Sequence, residues 1–118
     1  MNYELIFKTL GESTRIKIVK LLALKPMYVC ELESVLDMSQ PRISQHLKIL
    51  KHANLVNDTR EGQRSIYSLN RELLQNSFLS FTSFLDKPLE ELSDFQEEYE
   101  RLSHLSDDPK IVCCKSDH

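Results

Sequence analysis

The run YVCELESVLDMSQPRISQHLKILKHANLVNDTREGQRSIYSL, residues 28–69, decides the fold. Its first part, Tyr28–Leu36, reads as a short amphipathic helix with Val29, Leu32, Val35 and Leu36 on one side. Asp37-Met38-Ser39 is a tight break. Ser39 then serves as N-cap of a second helix beginning at Gln40, and Pro41 is tolerated in its first turn, where a backbone donor has no internal partner. From about Leu55 to Leu69 the chain reads as a hairpin. Thr59 and Ser65-Ile66-Tyr67 have strand character, and Glu61-Gly62 supplies the turn. Helix, break, helix and hairpin in this order predict a winged helix-turn-helix, a module that docks on duplex DNA.

Within the second helix Ile43, Leu47 and Leu50 recur at core spacing. The opposite side carries Gln40, Arg42, Ser44, Gln45 and Lys48. Amide and guanidinium groups form paired hydrogen bonds to adenine and guanine edges, whereas Lys48 and Lys51 suit phosphates. Ser39 and His46 complete the helix part of the expected DNA-binding set. Arg60, Gln63 and Arg64 cluster at the hairpin tip, as a wing lying on phosphate or in the minor groove requires.

The flanks extend this body. Tyr3, Ile6, Phe7 and Leu10 fall at helical spacing up to Gly11. Ser13 is the expected N-cap of a helix with Ile16, Val19, Leu22 and Ala23 on one face, ending at Lys25-Pro26. Beyond the hairpin, Asn70 caps a helix bearing Leu74, Phe78, Phe81 and Leu85. So small a domain has too few partners for that stripe. With the apolar first helix it predicts a dimer interface, in keeping with two-fold operators. The predicted fold is mainly α with a small β-hairpin, dimerising through N- and C-terminal helices. Residues 1–86 form the DNA-binding and dimerisation domain. Residues 87–118 form an acidic appendage: one amphipathic helix with Leu89, Leu92, Phe95, Tyr99 and Leu102, a break at Ser106–Pro109, and a tail from Lys110 to His118.

Composition is compatible with this reading. The chain has 118 residues, 41% hydrophobic and 28% charged, and a net charge of -3. Residues 1–85 carry 11 Lys/Arg against 8 Asp/Glu, and residues 86–118 carry 4 against 10. The acidity is thus confined to the appendage, and a mildly basic body is left for DNA. No apolar run is long enough for a membrane span, and the N-terminus lacks the features of an export signal. An odd number of cysteines, three, then suggests reduced thiols in the cytoplasm. No phosphate loop, catalytic triad or paired-carboxylate site appears, so no enzyme is expected.

Four stretches carry a family resemblance: Leu10-Gly11-Glu12-Ser13-Thr14-Arg15-Ile16, Val29-Cys30-Glu31-Leu32, Ser39 to Leu50, and Glu61 to Leu69. Together they cover roughly residues 5 to 85, in register, and the chain resembles the ArsR–SmtB family of metal-responsive repressors. That resemblance implies a homodimer on operator DNA, released when a toxic ion or thiol-reactive species binds. The family's zinc-type site needs Asp and His on the helix after the wing, and residues 71–85 have neither. Its arsenical-type site has Cys-Val-Cys followed by an acidic residue, Leu and Cys. Here Tyr28-Val29-Cys30-Glu31-Leu32-Glu33 keeps the middle thiol alone.

Cys30 falls opposite the apolar side of its helix, and the three cysteines are expected to lie outside the DNA-reading face. Cys113 and Cys114 are adjacent, with α-carbons about 3.8 Å apart, too close for an unstrained disulfide. Two neighbouring thiolates still grip one soft ion. Trivalent arsenic or antimony favours three sulfurs in a pyramid, and structural zinc favours four ligands. Cys30, Cys113 and Cys114 are therefore the expected As(III) or Sb(III) inducer site, within one subunit or across a dimer, with no permanent cofactor. His104 and His118 are read as solvated, with nitrogen ligation of cadmium or zinc as the alternative. Oxidation, persulfide formation or cadmium acting on the same thiols is the competing signal. A thiol enzyme lacks a Cys-x-x-Cys motif and anything to lower a thiol pKa. A constitutive DNA-binding protein, indifferent to thiol ligands, is the third possibility.

Overall fold

The computed structural model describes residues 3–116. Helices α1 (Tyr3–Leu10) and α2 (Ser13–Leu24) lead through β1 (Met27–Tyr28) into α3 (Val29–Leu36) and α4 (Gln40–His52). Strands β2 (Val56–Glu61) and β3 (Arg64–Leu69) form the hairpin. Then come α5 (Arg71–Asp86), α6 (Gln96–Ser103) and α7 (Pro109–Ser116). The chain divides into two compact units, with the division between Thr82 and Ser83.

The core of the first unit is apolar. Ile18, Leu32, Ile43, Leu47, Leu50 and Leu55 are fully buried, closed at the sides by Ile6, Leu22, Met27 and Val56. Ile43, Leu47 and Leu50 thus take the inward face that their spacing predicts. The inward face of α2 is Ile18 and Leu22, whereas Ile16 is 50% exposed, a correction to the expected stripe. The expected N-cap also shifts by one residue. Gly11 closes α1, Glu12 stays extended, and its Oε2 accepts from the Arg15 backbone N–H at 3.0 Å. The carboxylate meets the positive end of the helix dipole, and Ser13 becomes the first helical residue.

The break between α3 and α4 is built on Asp37, left-handed at φ 52°. Asp is among the few residues that tolerate this conformation. Ser39 occupies the N-cap position of α4 but makes no capping bond with its side chain. Asn54, also left-handed, reverses the chain after α4. The hairpin closes on the two residues Gly62 and Gln63 between the pair Glu61↔Arg64. Gly62 stands at φ 62°, where a side chain is costly. A third strand joins the sheet: β1 pairs antiparallel with β3, Met27 with Tyr67 and Tyr28 with Ile66, giving the order β1-β3-β2. The start of the helix-turn-helix is thereby hydrogen-bonded to the wing.

Asn70 caps α5 as expected, its Oδ1 accepting from the Leu73 N–H at 3.3 Å. Tyr3 and Phe7 of α1 meet Phe81 of α5 at ring separations of 5.4 and 4.8 Å, and Phe7 meets Phe78 at 5.7 Å. Phe78 remains 44% exposed and Leu79 66%.

In the second unit the expected single helix over Leu89–Leu102 is broken. Two 3₁₀ turns, Leu89–Glu91 and Ser93–Phe95, precede α6, and Phe95 packs on Phe84 at 6.0 Å. Pro88, together with repulsion within the Glu-rich run, opposes one long helix. The expected tail is instead helical up to Ser116. Pro109 opens α7, and Asp108 Oδ1 accepts from the Lys110 N–H at 2.9 Å.

Candidate nucleic-acid interface

Two elements present the polar groups. The N-terminal half of α4 exposes Gln40, Arg42 and Gln45, with Lys48 one turn further on. Gln40 Nε2 donates to the half-buried Ser44 Oγ at 2.6 Å, which holds the amide against its own helix. The wing exposes Arg60, Gln63 and Arg64. A cleft of about 650 Å³ separates helix from wing, lined by Gln40, Ser44, Arg60, Gln63, Arg64 and residues of the α3 entrance.

Cys30 is one of those entrance residues, beside Tyr28 and Glu33. Its exposure matches the helical-wheel position. The expectation set all three thiols outside the DNA-reading face, yet Cys30 shares this cleft with Gln40, Ser44, Arg60, Gln63 and Arg64, all expected DNA contacts. The β1–β3 pairing draws the first turn of α3 up against the wing, a tertiary contact that helical periodicity does not report.

Two of the expected contact residues are engaged elsewhere. His46 turns toward α2, where its Nδ1 lies 3.5 Å from Arg15 Nη1 and 3.7 Å from Glu12 Oε2. Arg15 Nε donates to the Thr9 carbonyl at 2.6 Å. Partial burial raises the Glu12 carboxyl pKa, but the Arg15 N–H and the charges of His46 and Arg15 outweigh it and leave the group below its ordinary value. Lys51 Nζ sits 2.8 Å from Asp58 Oδ1 on β2. That bond holds the Lys51 ammonium above its ordinary pKa and the Asp58 carboxyl below its own.

Tyr28 was not among the expected site residues. Its N–H donates to Glu31 Oε1 at 2.9 Å, and its hydroxyl donates to Glu61 Oε2. The Arg64 guanidinium carbon lies 5.3 Å from the centre of its ring. The Glu61 hydrogen bond, with partial burial and the nearby carboxylates, holds the phenol above its ordinary pKa against the opposing Arg64 charge. The only trace in the sequence is an aromatic residue three positions before Glu31, too weak a sign to single it out.

Cys113 and Cys114 are exposed on α7, and none of the three cysteines is in a disulfide. His104 is exposed at the end of α6, and His118 lies outside the described residues. Among the described residues, neither unit gathers three or more His, Cys, Asp or Glu side chains into a metal-binding group. No helix among them is long and apolar enough to cross a membrane.

The profile of the bacterial regulatory protein arsR family matches residues 12–58. Transcriptional repressor SdpR of Bacillus subtilis is 39% identical over 82 residues, spanning 70% of this chain and 91% of SdpR. The chain belongs to the ArsR–SmtB family. A second ArsR–SmtB relative, the arsenic resistance transcriptional regulator ArsR1 of Pseudomonas putida, is 40% identical over 72 residues. That match covers 60% of this chain and 56% of the relative's length. Among solved structures, the homodimeric winged helix-turn-helix DNA-binding domain of a possible ArsR-family regulator from Mycobacterium bovis superposes with a TM-score of 0.58. It is 28% identical, over 76% of this chain and 83% of that domain. The ArsR–SmtB chain described here is accordingly a DNA-binding transcriptional regulator and not an enzyme.

Proposed function

We propose that the protein is a cytoplasmic homodimeric repressor that holds operator DNA between α4 and the wing. Trivalent arsenic or antimony, bound by the thiols of Cys30, Cys113 and Cys114, releases it. The observation that carries this reading is the position of Cys30 in the cleft beside Arg60 and Arg64. An ion held there alters the surface that meets DNA. The arsenic-resistance role named for the Pseudomonas putida relative supports the choice of ion.

The chemistry balances without a redox step. Each thiol displaces one hydroxyl of arsenous acid, an As–S bond replaces an As–O bond, and the thiol proton leaves with the hydroxyl as water. Recognition by α4 falls to Arg42 and Gln45 at base edges, with Lys48, Arg60 and Arg64 at phosphates. An allosteric coupling of about 1–3 kcal/mol suffices to weaken operator binding by about 5–150-fold, and operator DNA weakens ion binding by the same factor.

The exposure of Cys30 inside the cleft favours a second reading, in which a lone adduct on that thiol (an oxidised or persulfidated sulfur, or cadmium) obstructs docking. Fluorescence anisotropy of reduced protein on its own promoter DNA, titrated with arsenite, separates the two. Release that is lost in Cys30→Ser and in Cys113→Ser/Cys114→Ser supports the three-thiol site. Release that survives the tail substitutions sinks it and leaves Cys30 acting alone.

A further inference from the structure

Glu61 and Arg64 are the last cross-strand pair of the hairpin, directly opposite each other. Opposite charges so placed attract, and an Arg64 paired with Glu61 would be a neutralised wing cation. The carboxylate instead accepts from the Tyr28 hydroxyl, and the guanidinium lies over the Tyr28 ring. Tyr28 is itself fixed twice, by the strand pairing Tyr28↔Ile66 and by its N–H bond to Glu31. One aromatic side chain therefore separates the two charges at the wing tip, with the acid on its edge and the cation on its face.

We infer that Tyr28 is a positioning residue for DNA binding: by holding Glu61 on its hydroxyl and Arg64 on its ring, it keeps the wing cation available to phosphate. The inference rests on the DNA-binding part of the reading above and is independent of the inducer. The phenol stays protonated throughout the physiological range, so its hydroxyl is a permanent donor to the carboxylate. The ring also orients the flexible Arg64 side chain before DNA arrives, which lowers the cost of ordering it on contact.

The test is anisotropy on a labelled duplex carrying the promoter of the protein's own gene, across a salt series. Tyr28→Leu should weaken binding about fivefold and lower the salt slope by about 0.9, the loss of one phosphate contact. Arg64→Ala should then add little in the Tyr28→Leu background. Glu61→Gln, which removes the competing acid, should restore affinity to within about twofold of wild type. A residue that merely props up the fold would not be rescued in this way. Equal cost of Arg64→Ala in both backgrounds, or no rescue by Glu61→Gln, overturns the inference. If Tyr28→Leu fails to melt cooperatively, Tyr28→Phe tests the hydroxyl arm alone. It releases Glu61 while keeping the ring under Arg64, so it should weaken binding, and Glu61→Gln in that background should restore it. No loss, or no rescue, overturns the inference. Wild-type protein that binds no DNA would instead overturn the DNA-binding reading itself.

Discussion

Lys51 near the end of α4 and Asp58 on β2 form an ion pair, Nζ to Oδ1 at 2.8 Å, that ties the recognition helix to the wing. The Lys51 side chain is 55% exposed and that of Asp58 27%, so solvent screens the pair and its stabilising effect is small. Its pH dependence is nevertheless defined. The folded Asp58 pKa lies below its ordinary value, so its contribution is present above the unfolded carboxylate range and disappears as pH falls through the folded pKa. The Lys51 pKa is raised, so the pair persists well above neutrality. Thermal melts of wild type and Asp58→Asn should differ at pH 7, begin to approach one another near about pH 4, and converge only as pH falls through the lowered folded pKa of Asp58. The same substitution frees Lys51, and it should tighten DNA binding and steepen its salt slope by up to about 0.9. Unchanged DNA binding would mean that Lys51 does not face phosphate even when released.

Base-reading and phosphate-binding residues make different predictions. Arg42 and Gln45 are exposed near the start of α4, where a recognition helix meets base edges. Arg42→Ala or Gln45→Ala should cost about 1–3 kcal/mol on the operator, and less on scrambled duplex, relaxing preference at one base pair. Lys48→Ala should weaken all duplexes alike and lower the salt slope by about 0.9. Parallel titrations on operator and scrambled DNA decide the matter. Equal losses on both for Arg42 and Gln45 would remove them from base reading.

Leu47 is fully buried on the inward side of α4. Leu47→Ala leaves a cavity directly beneath the recognition face and should cost about 2–5 kcal/mol of stability. Against a total of about 5–15 kcal/mol, that is a large fraction. A urea titration of wild type and variant should show a lower midpoint with an unchanged slope. A loss below about 1 kcal/mol would mean that the neighbouring side chains collapse into the cavity.

The helices and hairpin were legible because their signals are local. Ile43, Leu47 and Leu50 repeat at helix spacing, and Glu61-Gly62 marks a turn whose geometry follows from one glycine. What was illegible depends on contacts between distant segments. The two-residue strand Met27–Tyr28 is too short to show a period, and it exists because β3 offers a free edge. Cys30 enters the cleft between α4 and the wing for the same reason. The engagement of His46 with Glu12 and Arg15 follows from the packing of α2 on α4, which no spacing within α4 records. Capping by Glu12 in place of Ser13 turns on a single residue of chain extension after Gly11. In the appendage, apolar periodicity from Leu89 to Leu102 predicts a helix but does not weigh Pro88 or the crowding of glutamates against it.

Tyr3, Phe7, Phe78 and Phe81 join α1 to α5 by edge-on and tilted ring contacts, yet Phe78 is 44% exposed and its neighbour Leu79 66%. Rings this large contribute most when both faces are covered, so the cluster reaches its full stabilisation only against a second surface. In the proposed homodimer a second copy would bring the same cluster to a two-fold axis, so one substitution would act twice in the interface. Phe78→Asp would place two carboxylates there and should convert the proposed dimer to monomer in light scattering. Because one recognition helix then meets one half-site, operator affinity should fall by orders of magnitude while binding to a single half-site changes little. The exposed position of Phe78 predicts a monomer that keeps its fold, verified by an unchanged helical circular dichroism spectrum. A Phe78→Asp protein that stays dimeric and keeps its operator affinity would place the subunit interface elsewhere than on α1 and α5.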